Sequence, residues 1–141
     1  MSLRVKIGRS FLIRAEHDSE IVDFLTEFAV HNKISAASFT IVGALKSAKL
    51  GFYDQEKHRY LENRLSGPQE IACCIGNISI KENKPFTHAH AVLADQNGTT
   101  QGGHLIYGKV FAAEIHLTEL MGAKLVRKND VVTGLSLWAS E

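Results

Sequence analysis

Three histidines have the type and spacing that could bind a metal ion. His88 and His90 are two positions apart in an alternating apolar segment, and His104 follows in the next such segment. Residues two apart on a β-strand point to the same face, roughly 6.5–7 Å from each other along the chain. Neutral imidazoles at that spacing can bind one ion at about 2.0–2.1 Å each. The sequence therefore predicts a site for zinc or another divalent transition metal. The alternative interpretation is that the three are ordinary polar residues on the face of a hairpin.

The position of His104 depends on how the hairpin at Asn97-Gly98 is closed. With a two-residue turn, His104 faces away from His90. With a three-residue loop, 96–98, Gly98 takes the left-handed conformation and His104 lies directly opposite His90. A bulge at Gly102-Gly103 would restore the same parity by another route. These two glycines would also let a backbone or a ligand approach closely, which makes them candidate cofactor-binding residues.

An ion held by three histidines keeps one coordination position open, as in catalytic rather than structural zinc sites. The open position predicts a small-molecule ligand there. Glu114 shares a strand face with Val110, Ala112 and His116, and is a candidate general base or orienting carboxylate. The alternative for Glu114 is a place on a surface or interface. The residues of opposite parity, Phe111, Ala113, Ile115 and Leu117, are predicted core.

The elements that position these residues are one helix and many strands. The helix is capped by Asp18 or Ser19, carries apolar residues at helical spacing and ends near Asn32. Strands are predicted at 3–16, 36–45, 48–53, 59–65, 70–80, 86–94, 99–106 and 109–120, with a closing strand at 135–139 and an ambiguous segment at 125–132.

Hairpin-length connections predict an α+β fold: a single domain spanning residues 1–141, with a mostly antiparallel sheet of about seven or more strands and one main helix. One helix covers only one face of such a sheet. The other face must curl into a barrel or meet another subunit, so we expect a homo-oligomer.

Composition limits the classes of function. The 141 residues are 45% hydrophobic and carry a formal net charge of +1. A dedicated nucleic-acid binder usually has a basic excess, because phosphate neutralisation supplies most of the non-specific affinity. Cys73 and Cys74 are adjacent and poorly placed to bond each other. No signal peptide or apolar span is evident, so we expect a cytoplasmic protein without membrane contact.

The histidine segment also resembles a known family. The run Pro85–Asp95, followed by Gly98, Gly102–Leu105 and Gly108–Val110, is similar to the plants and prokaryotes conserved (PPC) domain. The upstream segments Ile41–Leu45, Leu50–Asp54 and Glu70-Ile71 agree, so the resemblance covers nearly the whole chain.

The resemblance implies a trimer, with metal bound by the residues matching His88, His90 and His104 near a subunit boundary. Plant members of the family carry an AT-hook arm ahead of this domain and act as DNA-binding nuclear proteins. This chain is expected to be a stand-alone prokaryotic form without that arm, since Gly8-Arg9-Ser10 lacks the flanking arginine needed for minor-groove insertion. Three functions remain open. One is metal-dependent binding or hydrolysis of a small molecule, for which zinc ester hydrolases are an analogy. The second is a DNA-associated regulatory role, and the third is an interaction protein in which the metal only stabilises the trimer.

Overall fold

The computed structural model describes residues 2–122 and 124–139, which form one helix and seven strands. This confirms the predicted α+β domain with a mostly antiparallel sheet. No helix in that part of the chain is long and apolar enough to cross a membrane. The elements are β1 Lys6–Ala15, α1 Ile21–His31, β2 Ala37–Asp54, β3 Arg59–Lys81, β4 Lys84–Ala94, β5 Thr100–Met121, β6 Val126–Asn129 and β7 Ser136–Ala139.

The sheet curls until four of its strands form a closed cycle of pairings. Its order is β1-β5-β2-β3-β6-β7, and β4 pairs with both β3 and β5. Strands β2, β3, β4 and β5 are therefore each hydrogen-bonded to two others of the set. One face of the curl surrounds the core, while the other faces outward. The short β6 joins β3 in parallel through a single residue pair, Ile80 with Val126.

Helix α1 covers the inner face. Its apolar positions Ile21, Leu25 and Ala29 are buried and pack toward β4 and β5, as the helical spacing predicts. The predicted caps are wrong, because the N-cap is Glu20, whose carboxylate accepts from the backbone N–H groups of residues 22 and 23. Asp18 instead forms ion pairs with Lys46 and Lys109, and the Ser19 hydroxyl donates to the carbonyl of residue 16.

Several predicted strand breaks are wrong because the chain passes through them as bulges. At Gly67-Pro68 the pairing of β2 with β3 shifts from Ser47–Ser66 to Leu45–Gln69, and the strand continues. Proline has no N–H to donate to the ladder, so it lies where the ladder is already irregular. The predicted pairs of strands 36–45 with 48–53, 59–65 with 70–80, and 99–106 with 109–120 are thus single long strands, β2, β3 and β5.

A bulge also corrects the predicted core of β5. Ala112 pairs with Ala44 and Val110 pairs with Leu45, which leaves Phe111 without a partner. The extra residue reverses the parity of the strand on its N-terminal side. Phe111 is consequently 58% exposed, whereas Val110 is buried beside the correctly predicted Ala113, Ile115 and Leu117.

The two cysteines face opposite ways, as strand parity predicts. Cys73 is exposed and Cys74 is buried, and both are free thiols. Burial raises the pKa of the Cys74 thiol to about 12, so it remains protonated at neutral pH. Cys74 is therefore a small core residue rather than a nucleophile.

Candidate metal centre

Two hairpins bring the three histidines together. The β3–β4 hairpin turns at Glu82-Asn83, both with positive φ, and places His88 and His90 on the outer face of β4. The β4–β5 hairpin closes through residues 96–98 with Gly98 at φ +77°, so His90 pairs directly with His104. This confirms the three-residue loop of the two alternatives. No bulge at Gly102-Gly103 is needed, since both residues pair with β4 in regular register.

The three rings converge on one point. Their centroids lie 5.2–5.5 Å apart, and one ring nitrogen from each histidine lies within 4.8 Å of the others. Opposing the histidines on β4, Thr87, Ala89, Ala91 and Leu93 are buried against the helix side. That packing fixes which face of β4 carries the rings, because a slip of one residue would bury the histidines and expose the core.

The electrostatics of the cluster favour neutral imidazoles. Burial, then the positive charge of Arg127 and the other two histidines, lowers the pKa of His88 to about 4. Burial, followed by His90 and Arg127, also lowers the pKa of His104. Histidine binds a metal only in its neutral form, so both rings are in the ligating state at neutral pH.

One atom of the cluster is unsatisfied. Nδ1 of His104 is buried and has no hydrogen-bond partner within the described part of the chain. A buried polar atom without a partner costs free energy, and a metal ion is one group that would satisfy it. Two observations therefore fit a transition metal: one ring nitrogen from each histidine is available as a donor, and Nδ1 of His104 has no other partner.

Gly102 and Gly103 lie beside the cluster for a reason of packing. A Cβ on Gly103 would lie 2.7 Å from the carbonyl oxygen of Gly51, so glycine lets β5 cross close to β2. This crossing pairs Gly51 with His104 and holds the histidine next to β2. A Cβ on Gly102 would lie 3.3 Å from its nearest neighbour, Cγ2 of Val92. A role for either glycine in binding a cofactor stays a prediction.

Glu114 is not brought to the histidines within one chain. It is ten residues along β5 from His104 and pairs with Arg14 and Val42, whereas His104 pairs with Gly51, nine residues further along β2. At about 3.3 Å per residue the separation along the strand is roughly 30 Å. Any general-base role for Glu114 would require a second subunit, and it too stays a prediction.

Arg127 is the residue of the site that the sequence did not single out. Its Nη2 lies 3.3 Å from Nδ1 of His88, and its Nε donates to the buried Ser79 hydroxyl at 2.7 Å. It comes from β6, in a segment whose pattern was ambiguous, and the adjacent Lys128 carries the same charge. No signal in the sequence marks one of these cations over the other.

A cavity of about 400 Å³ opens beside the rings of His88 and His104. The aromatic ring of Tyr60 lies 5.0 Å from that of His104 and forms part of the wall. The opposite wall is the C-terminal segment around Ser136, which accepts a hydrogen bond from Arg127. The cluster is therefore open to a small molecule from this side.

The family model for the Plants and Prokaryotes Conserved domain, abbreviated PCC or PPC, matches residues 3–121 of the chain. The chain belongs to the PPC domain family. Among solved structures, a plant- and prokaryote-conserved protein of Pyrococcus horikoshii is 37% identical, with a TM-score of 0.95 over 100% of this chain and 98% of that one. These matches confirm the resemblance read from the histidine segment.

Two further PPC relatives bear on chemistry. A metal-containing protein of Archaeoglobus fulgidus is 38% identical, with a TM-score of 0.95 over 99% of this chain and 100% of that one. A protein of Ralstonia eutropha with a provisional DNA-binding description is 26% identical, with a TM-score of 0.82 over 92% and 90% of the two chains. No curated protein sequence matches the chain.

Proposed function

We propose that this PPC-domain protein binds a divalent transition metal, zinc in the first instance, through His88, His90 and His104. The observation that supports this most directly is the convergence of three ring nitrogens to within 4.8 Å. The lowered pKa of His88 and His104 and the unpartnered Nδ1 of His104 support it independently. The 38% identical relative of Archaeoglobus fulgidus is itself described as metal-containing.

Zinc suits this donor set better than calcium or magnesium do. Imidazole nitrogens favour zinc and its transition-metal neighbours, whereas the hard cations take oxygen ligands. Three protein ligands leave the arrangement of a catalytic site, with room for a small molecule at the remaining position. When bound, such an ion would supply Lewis acidity toward an oxygen atom of that molecule.

The reaction that fits best is hydrolysis of a small ester or lactone. The chain's own residues would hold the ion in place with three imidazoles and receive the substrate in the cavity walled by Tyr60 and the C-terminal segment. The experiment is metal analysis of the purified protein, followed by a screen of esters and lactones with wild type and His104→Ala. Hydrolysis that is unchanged by this substitution would reject a role of the metal in it.

We propose further that the outer face of the sheet is covered by other copies of the chain in a trimer. A row of directly paired residues runs across this face from His90 through Ile75, Thr40 and His116 to Leu12. Ile75 is 56% exposed and Leu12 is 87% exposed, which is unusual for large aliphatic residues. Because the row begins at His90, a subunit covering it would border the metal centre.

The test of assembly is the mass in solution by light scattering. The trimer predicts three times 15.6 kDa for the wild type and a smaller mass for Leu12→Glu. Leu3→Glu, which places the same charge at a 46% exposed leucine outside the row, is the control. A wild-type protein that remains monomeric at micromolar concentration would overturn the trimer.

DNA binding is the second candidate function. What favours it is the provisional DNA-binding description of the 26% identical protein from Ralstonia eutropha, together with the role that the family resemblance implies for the plant members. A net charge of +1 gives it no electrostatic support. A gel-shift experiment at low salt decides: binding that weakens steeply with salt supports this function, and no shift at micromolar protein rejects it.

A further inference from the structure

Arg127 carries a positive charge that no described acidic residue neutralises. Its four hydrogen-bonding partners are all uncharged groups: the Ser79 hydroxyl at 2.7 Å, the Ser136 carbonyl at 2.8 Å, the Asn77 side-chain oxygen at 3.1 Å and Nδ1 of His88 at 3.3 Å. None of the ion pairs between described residues includes it. Burial lowers its pKa, yet a guanidinium remains charged in proteins. Four hydrogen bonds and the Phe86 and Trp138 rings compensate part of the desolvation of this half-buried cation, and an anion would supply the counter-charge that is missing among the described residues.

The contact between Arg127 and His88 is incompatible with metal bound to that histidine. A guanidinium can only donate, so Nδ1 of His88 accepts and the proton of its neutral ring lies on Nε2. Metal at Nδ1 would displace Nη2 of Arg127 directly. Metal at Nε2 would move the ring proton to Nδ1, and the resulting Nδ1–H would then face the N–H of Nη2 of Arg127, donor against donor. Either way, loading the metal releases one N–H of Arg127.

The released N–H is beside the cavity described above. Arg59 and Lys81 also line this cavity, and none of its lining residues is acidic. Phe86 and Leu137 add apolar surface, and the Arg127 guanidinium lies 5.3 Å from the Phe86 ring centroid. A cationic cavity with apolar walls fits a small organic anion better than a bare inorganic one.

We propose that Arg127 binds the carboxylate of a small organic acid whose neighbouring oxygen occupies the open metal position, and that metal loading strengthens this binding by freeing Arg127 from His88. The inference rests on the proposed metal site and names the class of ligand that the site takes. The planar guanidinium suits a carboxylate because it can donate two parallel hydrogen bonds. Coupling between two ligands is reciprocal, so the acid must tighten zinc binding by the same factor.

The experiment compares lactate with lactamide, its uncharged isostere, on metal-free and zinc-loaded protein. Trp138 is the single tryptophan of the chain, and its ring centroid lies 5.9 Å from the Arg127 guanidinium, so its fluorescence reports binding there. Zinc binding is measured first on the same samples by competition with a chelating dye. We expect zinc-loaded wild type to prefer lactate over lactamide by about 10- to 100-fold, the range of a charge-assisted hydrogen bond.

The variants are Arg127→Gln, Arg127→Lys and, as a matched control, Lys128→Gln on the same strand. Arg127→Gln should abolish the preference for lactate, Arg127→Lys should retain part of it, and Lys128→Gln should leave it unchanged. Because Arg127 also bonds the buried Ser79, its variants are first checked for native circular dichroism. The comparison of the two ligands on wild type tests the proposal even if a variant does not fold.

The outcomes separate this inference from the function it rests on. Zinc binding together with equal affinity for lactate and lactamide overturns the carboxylate site and leaves the metal site intact. A lactate affinity that zinc does not change overturns the coupling, and inorganic phosphate binding more tightly than lactate overturns the class of ligand. Failure of the wild type to bind zinc overturns both proposals.

Discussion

The two faces of β4 differ in what they lack. The inner residues Thr87, Ala89, Ala91 and Leu93 are buried and fully packed within one chain. On the outer side, His88 lines a cavity, the His90 ring lies 5.5 Å from the ring of His104 with its unpartnered Nδ1, and Val92 is 40% exposed. Alternate residues of one strand thus divide stability from chemistry. A face that is complete needs nothing further, whereas a face with unsatisfied groups indicates ligands and partners.

The largest effect is expected from a change on the inner face. Leu93 is 0% exposed, and Leu93→Ala should lower the free energy of unfolding by about 3 kcal/mol, because it removes buried surface and leaves a cavity. Urea denaturation at fixed protein concentration measures this. The control is Val92→Ala, whose side chain is 40% exposed on the other face. Equal destabilisation by the two substitutions would contradict the division between faces.

A change on the outer face should affect zinc instead. His104→Ala removes one of the three proposed ligands and should weaken zinc binding by more than about 100-fold, since even loss of a group supporting a ligand costs 10- to 100-fold. Competition with a chelating dye measures the affinity. His116→Ala, on the same face but outside the cluster, is the matched control. If the two variants bind zinc alike, the three histidines are not the ligand set.

Metal loading should stabilise the protein by an amount set by mass action. At zinc concentrations 100 times the Kd, the free energy of unfolding should rise by about 2.7 kcal/mol. The thermal midpoint with and without a chelator measures this at constant protein concentration. The increase should be absent in His104→Ala and retained in Leu93→Ala. A chelator that leaves the wild-type midpoint unchanged would indicate that no metal is bound.

The smallest effect is expected at the edge of the sheet, where Arg9 on β1 pairs with Glu119 on β5. Nε of Arg9 lies 2.7 Å from one carboxylate oxygen and Nη2 lies 3.0 Å from the other. The hydrogen bonds from Arg9 lower the pKa of Glu119, so the pair adds stability at neutral pH that is lost as the pH falls through the folded-state pKa.

Glu119→Gln should therefore lower the thermal midpoint slightly at pH 7. In acid it should not lower it at all, because protonated Glu119 and its glutamine replacement are then both uncharged. Because Arg9 is half exposed, solvent screening should keep this effect smaller than the effects of the substitutions on either face of β4. A gap between wild type and variant that widens toward acid pH would have the wrong sign. The measurement is a series of thermal melts at fixed ionic strength.

Local rules were sufficient wherever the geometry depends on a few adjacent residues. The helix followed from its apolar spacing, whereas the loop chemistry of Asn97-Gly98 only narrowed the register of His104 to alternatives, of which the structure has the three-residue loop. They failed where a distant contact decides. By local preference Gly67-Pro68 would end a strand, but β3 stays paired with β2 on both sides of these two residues. By the alternation of β5, Phe111 should be buried with Ala113 and Ile115, but a bulge at Phe111 turns its side chain to the exposed face.

Arg127 could not be predicted because nothing local determines its position. It reaches the histidines through one parallel pairing of β6 with β3, between residues far apart in the chain. The sequence between them does not specify that pairing. The three histidines were within reach of sequence reasoning because two adjacent hairpins hold them. The guanidinium beside them was not.

The single residue pair that joins β6 to β3 has an evolutionary consequence. The family model matches residues 3–121, so it includes the histidines and stops before Arg127, whereas the structures from Pyrococcus horikoshii and Archaeoglobus fulgidus match 100% and 99% of this chain. Beyond that pair, side-chain hydrogen bonds hold the segment to the sheet, from Arg127 to Ser79 and Asn77 and from Tyr53 to the carbonyl of Thr133, and the two histidine hairpins pair without it. Over evolution, substitution within residues 124–139 should therefore change what binds beside the histidines more readily than it changes the hairpins that hold them.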